Sequence, residues 1–163
     1  MSSSTIFNTN IQHQNGRPRV IVTMTTIPSR IQSNLVLYTL KSLNAQTLQP
    51  DKIYVTIPGI SRKTKKSYPS TKHLEDLCTI VKITTDYGPI SKIIGGILME
   101  TDPNTIMISC DDDIIFPSSY IEKLYTKSLQ YPNHVIGARG LNIGRFPGYI
   151  TIYDEDRKST RLN

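Results

Sequence analysis

The sequence predicts an α/β fold in which helices cover both faces of a mostly parallel sheet. Three observations support this prediction. Short β-branched, apolar runs alternate with segments of helical periodicity, the connections between them are short, and no period of 20–50 residues recurs along the chain. The 163 residues, 37% of them hydrophobic, have the length and composition of one globular domain.

The first half of the chain contains two predicted strands and two predicted helices. Residues 20–25 form a β-branched run ended by a proline, which predicts a buried strand followed by a loop. From Ser33 onward, apolar residues recur at helical spacing, and either Ser33 or Asn34 is a suitable N-cap. Residues 52–57 predict a second strand, and residues 70–77 predict a weak helix.

The second half continues the alternation. Residues 79–84 predict the third strand and residues 105–110 the fourth, which is apolar at nearly every position. Between them a helix is predicted with an apolar face made of Ile90, Ile93, Ile94, Ile97 and Leu98, and Asp102-Pro103 ends it. Ser119, with Glu122 three positions later, forms a capping box that predicts the start of a further helix.

The ends of the chain differ from its middle. Residues 134–138 predict a fifth strand. Residues 1–18 are polar, lack the apolar stretch of a secretory signal, and predict a disordered tail before a folded part at 19–155. Residues 156–163 are similar to translated sequencing-adapter tails, so we expect a non-native or disordered end and a fold that is incomplete at its C-terminus.

Charge, hydropathy and cysteine content exclude several classes of protein. The net charge is +6, but the basic runs at 62–66 and 157–161 are not interleaved with aromatic residues. They predict solvated loops and no nucleic-acid partner. Apolar runs are far shorter than the roughly 20 residues of a membrane span. Cys78 and Cys110 lie among apolar neighbours and predict unpaired thiols, which, with no signal sequence, predicts a cytoplasmic protein.

Three consecutive aspartates follow the fourth predicted strand. If the chain stays extended there, Asp111 and Asp113 point to one side and Asp112 to the other. Paired carboxylates suit Mg²⁺ or Mn²⁺, which completes its coordination with water and substrate phosphates. The alternative is that the aspartates end the strand and cap the next helix, although that helix already has a serine cap.

Two more loops follow predicted strands, where ligands bind in doubly wound sheets. Residues 25–30 follow the first strand, and Arg30 is a candidate for contacting a phosphate or base. Residues 86–92 follow the third strand and place Lys92 in the first turn of a helix, where its charge opposes the helix dipole unless an anion offsets it. Ordinary turn chemistry for the first loop and a solvated Lys92 remain open alternatives.

Together, these segments resemble glycosyltransferases of the GT-A type, in the broad family-2-like group. The matching segments are residues 25–30, 86–92 and 108–117, and the likeness covers about residues 19–140. The resemblance implies a Rossmann-like fold and a nucleotide diphosphate sugar as donor. The implied donor-binding residues are Thr25, Thr26, Arg30, Asp86, Lys92, Asp111 and Asp112, and the implied ligands of Mn²⁺ or Mg²⁺ are Asp111 and Asp113.

In such enzymes the metal stabilises the departing nucleoside diphosphate while an acceptor hydroxyl attacks the anomeric carbon. The acceptor, whether glycan, protein or lipid, is unknown, and no residue here is assigned as the general base. Asp154, Glu155 and Asp156 favour a solvated end instead. Two alternatives stay open: a metal-dependent nucleotidyltransferase, although the first loop contains no glycine, and a non-catalytic basic binding module.

Overall fold

A four-stranded parallel sheet forms the centre of the fold. The computed structural model describes residues 16–138 and, as backbone only, residues 160–161. The strands are β1 (Val20–Thr25), β2 (Lys52–Pro58), β3 (Thr79–Ile83), β4 (Ile106–Ser109), β5 (Ile114–Ile115) and β6 (Thr160–Arg161). The helices are α1 (Pro28–Gln32), α2 (Leu35–Asn44), α3 (Ser91–Met99) and α4 (Tyr120–Gln130), and 3₁₀ turns lie at Lys72–Leu74 and Gly88–Ile90.

The order of the strands in the sheet is β3-β2-β1-β4, and every pairing is parallel. The chain leaves β1 toward β2 and β3 on one side and later returns to pair β4 on the other side of β1. The strand order therefore reverses between β1 and β4. In open parallel sheets, ligands bind in the crevice beyond the carboxyl ends of the strands at such a reversal.

Helices cover both faces of the sheet, as the sequence predicted. On one face, Val22 and Val55 belong to a buried cluster with Leu40 of α2 and Ile121 of α4. On the other face, α3 packs against β1 and β2. Strand side chains alternate between the two faces, so the nearly continuous apolar runs in β1 and β2 are explained by burial on both sides.

Helix α3 packs on the sheet through its small residues and not through the predicted apolar face. Ser91, Gly95 and Gly96 are buried, whereas Ile97 and Leu98 are each 62% exposed. A Cβ atom at Gly95 would overlap the Thr56 side chain, and one at Gly96 would lie 2.9 Å from Cε of Met107. At Gly95 the helix approaches the sheet so closely that only glycine fits, and this close contact outweighs the hydrophobic periodicity.

Several predicted elements differ from those in the structure. The predicted loop after β1 contains α1, because Pro28 at the first helical position favours a helix. The predicted helix at 70–77 is only a 3₁₀ turn around the buried Leu74. Residues 134–138 form no strand: Val135 is 92% exposed, and among the described residues β4 pairs with β1 alone.

The predicted start of α4 is correct, but the predicted capping box is absent. Ser119 is the N-cap residue and makes no side-chain capping bond. Glu122 instead accepts a hydrogen bond of 2.6 Å from the Thr47 hydroxyl. The cap comes from Gln46, two residues beyond the end of α2, whose Oε1 accepts a 3.0 Å hydrogen bond from the amide of Ile121. Likewise, Asn34 precedes α2 in a left-handed conformation with no side-chain cap.

The described residues reach into both predicted tails. Arg17 forms an ion pair with Asp51 at 3.0 Å. Thr160–Arg161 pairs antiparallel with Ile114–Ile115, and the other residues of the predicted C-terminal tail lie outside the described part, as do Asp154, Glu155 and Asp156. Within the described residues, no helix has the length and hydropathy needed to cross a bilayer.

A charged cluster ties the C-terminal end of α3 to the strands beside it. Glu100 accepts hydrogen bonds from the Arg19 guanidinium at 2.9 and 3.0 Å and from the Tyr54 hydroxyl at 2.7 Å. Burial opposes ionisation of Glu100, but these hydrogen bonds outweigh it and lower the pKa of the carboxyl group. The charged form of Glu100 therefore stabilises the fold.

We expect Glu100→Gln to destabilise the protein at pH 7. Hydrogen bonds to charged groups contribute about 1.5–3 kcal/mol, and we expect a loss near the lower end of this range. Because the folded pKa lies below the unfolded value of about 4.3, the stabilisation is complete above that value and is lost as the pH falls through the folded pKa. The difference in urea midpoint between the native protein and Glu100→Gln should be smaller at pH 3 than at pH 7. Glu75→Gln, at an exposed position, should change neither midpoint, and a Glu100→Gln defect that persists unchanged at pH 3 would contradict the prediction.

Candidate functional site

A cavity of about 480 Å³ lies at the carboxyl ends of the parallel strands, where the strand order reverses. Its walls come from the segments that follow all four strands. It is lined by Thr25, Thr26, Ile27, Arg30, Arg62, Lys63, Tyr68, Asp86, Gly88, Pro89, Lys92, Cys110, Asp111 and Asp112. All of the residues that the sequence suggested for donor binding are among them, and Asp113 is not.

Arg30 forms ion pairs with two of the three consecutive aspartates. The short helix α1 presents its guanidinium group to Asp112, and a second nitrogen lies 2.8 Å from Oδ2 of Asp113. The Asp112 and Asp113 side chains are 6% and 11% exposed, so these charges need a cation nearby. The primary role of Arg30 in this structure is to fix the acidic turn.

The acidic segment does not continue as an extended strand. Residues 112–113 form a turn, so Asp112 and Asp113 both reach Arg30 while Asp111 pairs elsewhere. The Thr39 hydroxyl donates a 3.0 Å hydrogen bond to the backbone oxygen of Asp112 and holds this turn from α2. The alternation expected for Asp111 and Asp113 is therefore wrong, because the backbone turns immediately after Asp111.

Asp112 is the most deeply buried acid in the cavity wall. Burial raises the pKa of its carboxyl group, and the neighbouring Thr26 hydroxyl and Arg30 charge act in the opposite direction. Within the described residues, Oδ2 of Asp112 and Oγ1 of Thr26 are both buried without a hydrogen-bond partner of good geometry. Thr26 is 3% exposed and both residues line the cavity, and the Thr26 hydroxyl is the group that most strongly opposes the effect of burial on the pKa of Asp112.

Lys92 and Asp111 form the second ion pair of the site. Nζ of Lys92 lies 2.7 Å from Oδ1 of Asp111, and the Asp111 side chain is 46% exposed. Lys92 is the second residue of α3, whose N-terminal turn is held on β1 by a hydrogen bond from the Thr23 hydroxyl to the Lys92 carbonyl. Asp111 therefore supplies an anion that offsets the unfavourable interaction of Lys92 with the helix dipole.

Asp86 organises the loop before α3. Its Oδ1 accepts a 2.7 Å hydrogen bond from the Gly88 amide, and its Oδ2 accepts one of 2.6 Å from the Arg62 amide. Gly88 has φ +68°, a left-handed conformation that glycine adopts without strain. Asp86 thus joins the segment after β3 to the segment after β2.

Three lining residues lie outside the three segments that the sequence analysis singled out. Arg62 and Lys63 belong to a basic run that predicted only a solvated loop, and Tyr68 follows it in the chain. The Tyr68 hydroxyl donates a 2.9 Å hydrogen bond to the carbonyl of Thr26. The position of the basic run after a parallel strand was the signal that could have identified it.

The donor set partly fits a divalent cation. No group of three or more His, Cys, Asp or Glu side chains close enough to hold a metal occurs in the described part of the chain. Mg²⁺ and Mn²⁺ nevertheless bind through one or two carboxylates when substrate phosphates and water complete their coordination. Asp111 and Asp112 are the two carboxylates that line the cavity, although each is paired with a cation, and Asp113 contacts Arg30 outside the cavity lining.

A comparison with protein-family models found no matching family, and a search of curated proteins found no significant match. The function must therefore be inferred from the residues of the cavity.

Proposed function

We propose that the chain binds a nucleoside diphosphate sugar in this cavity and transfers the sugar to an acceptor hydroxyl. One observation carries the proposal. Residues from three separate loops, chosen by their resemblance to GT-A glycosyltransferases, line a single cavity at the reversal of the strand order: Thr25, Thr26, Arg30, Asp86, Lys92, Asp111 and Asp112. Loops that merely capped their strands would not need to bring these polar and charged residues around one cavity.

The residues have complementary roles in this proposal. Asp111 and Asp112 would hold Mn²⁺ or Mg²⁺, which supplies Lewis-acid stabilisation of the departing diphosphate. Lys92, paired with Asp111, would offset the negative charge of that carboxylate beside the departing diphosphate. Arg30 and Thr39 keep the acidic turn in place before the donor binds, so little reorganisation is needed. The acceptor is a glycan, protein or lipid hydroxyl, and the general base is not assigned.

A cytoplasmic location remains part of the proposal. Both cysteines are free, and burial raises the pKa of Cys78 and of Cys110 to about 12 in each case. Such thiols are mostly protonated and unreactive at neutral pH. Unpaired cysteines are compatible with a reducing compartment.

Thermal denaturation with nucleoside diphosphates tests the proposal. We expect UDP or GDP with Mn²⁺ to raise the Tm, because a ligand at about 100 times its Kd stabilises the folded state by about 2.7 kcal/mol. EDTA should reduce this increase in Tm, and the Asp111→Asn variant should show a smaller increase even without EDTA. An unchanged Tm with every nucleoside diphosphate would refute the proposal.

The same assay separates the alternatives. A preference for nucleoside triphosphates over diphosphates would favour a nucleotidyltransferase. A basic binding module would show no nucleotide shift and a steep salt dependence of binding to a random oligonucleotide.

A further inference from the structure

The basic hairpin at residues 60–67 contributes charge to the cavity that the acidic site does not use. We propose that Arg62 and Lys63 of this hairpin bind the diphosphate of the donor. This inference rests on the proposed function and adds to it a second wall of the binding site.

The cations beside the acidic turn are already neutralised. Arg30 is paired with Asp112 and Asp113, and Lys92 with Asp111. These five groups sum to one negative charge, and the divalent cation of the proposed function raises the sum to one positive charge, less than the two negative charges of the diphosphate in a nucleotide sugar. An incoming anion therefore requires positive charge from elsewhere in the cavity wall.

Arg62 and Lys63 supply that charge. Both side chains are exposed and line the cavity. Neither side chain forms an ion pair or hydrogen bond with any of the described residues. A guanidinium and an ammonium group that are uncommitted can neutralise two phosphate groups, the first through paired hydrogen bonds and the second as a point charge.

The hairpin holds these two residues in a defined position. Ile60 and Ser67 form an antiparallel bridge, and the Ser61 amide donates a 2.9 Å hydrogen bond to the Lys66 carbonyl. Ser61 is fully buried, and its carbonyl accepts a 2.8 Å hydrogen bond from the Lys65 amide. A binding element that is ordered before the ligand arrives loses less entropy on binding.

The hairpin is also attached to the rest of the site. Asp86 accepts a hydrogen bond from the Arg62 amide at 2.6 Å, and Tyr68, directly after the hairpin, donates one to Thr26 at 2.9 Å. The contact to Asp86 uses the main chain, so the Arg62 side chain stays available. Substituting the side chains should therefore leave the attachment intact.

Lys65 and Lys66 provide a matched control. They belong to the same hairpin and carry the same charge, but they do not line the cavity. Arg62→Gln/Lys63→Gln and Lys65→Asn/Lys66→Gln each remove two positive charges from one loop. Asparagine is chosen at position 65 because Lys65 has φ +56°, which asparagine tolerates well.

Isothermal titration of both double variants with UDP, GDP, pyrophosphate, uridine and guanosine, in the presence of Mn²⁺, tests the inference. Loss of charge-assisted hydrogen bonds should raise the Kd of the bound nucleoside diphosphate at least about tenfold in Arg62→Gln/Lys63→Gln. The same loss should weaken pyrophosphate binding in parallel and leave nucleoside binding unchanged. The Kd of the control variant Lys65→Asn/Lys66→Gln should stay within about twofold of the native value. Circular dichroism and Tm confirm that both variants fold.

Each contrary result has its own meaning. Equal weakening in both double variants would show a general electrostatic effect and overturn the inference. Tight diphosphate binding by Arg62→Gln/Lys63→Gln would overturn it while leaving the proposed function intact. Failure of the native protein to bind any nucleoside diphosphate would overturn both.

Discussion

Gly95→Ala is expected to destabilise the protein by about 1–3 kcal/mol, the usual range for overpacking a well-packed contact. A Cβ atom at position 95 would overlap the Thr56 side chain and lie 3.0 Å from its Cβ. Thr56 is a fully buried, β-branched residue of β2, and β-branched side chains are restricted at χ1. The helix would have to shift, although alanine is intrinsically more favourable than glycine in a helix by about 1 kcal/mol.

The neighbouring glycine provides the control for this prediction. A Cβ atom at Gly96 would meet the flexible end of Met107, whose Cε and Sδ lie 2.9 and 3.0 Å away. Gly96→Ala should therefore have a much smaller effect on the urea midpoint. Removing the Thr56 side chain in Gly95→Ala/Thr56→Ala should restore part of the lost stability. A Gly95→Ala protein that is as stable as the native one would contradict the packing of α3 described above.

Arg30→Gln is expected to cost about 3 kcal/mol of stability at pH 7. Breaking a buried ion pair by removing one partner costs roughly 3–5 kcal/mol, and the 29% exposure of the Arg30 side chain places this case at the lower end. Asp112 and Asp113 would keep buried charges without their shared cation. Arg30→Lys should be intermediate, because an ammonium group does not bridge two carboxylates as a guanidinium fork does.

Urea unfolding of Arg30→Gln and Arg17→Gln measures this effect. Arg17 has similar exposure but pairs with the single carboxylate of Asp51, so its loss should cost less. The Arg30→Gln defect should diminish in acid, because burial already raises the pKa of Asp112 and protonation removes the buried charge. A defect below about 0.5 kcal/mol, the size typical of an ordinary surface substitution, would show that Arg30 does not hold the acidic turn.

The sequence predicted the sheet well because its strands are buried on both faces. The β-branched runs that became β1 and β2 have no competing helical pattern, and their alternation with helical segments predicts parallel pairing. The position of Thr26 and Asp111 just after strands, and of Lys92 in the segment that follows β3, was sufficient to place them at one edge of the sheet.

The remaining features depend on contacts between segments that are distant in sequence. The helical periodicity of α3 favours its isoleucine-rich face, and only the proximity of Thr56 explains why Gly95 is buried instead. The two partners of Arg30 lie 82 and 83 residues away in the sequence, so no local pattern could identify them. No local pattern could identify the position of the basic hairpin either, because its place beside the cavity depends on the contacts of Asp86 and Tyr68.

A crystal structure of the chain grown with a nucleoside diphosphate sugar and Mn²⁺ would test the central claim most directly. We predict electron density for the nucleotide inside the cavity lined by Thr26, Lys92 and Asp111, and an anomalous manganese signal beside Asp111. Nucleotide bound elsewhere on the chain, or an empty cavity at saturating ligand concentration, would contradict it.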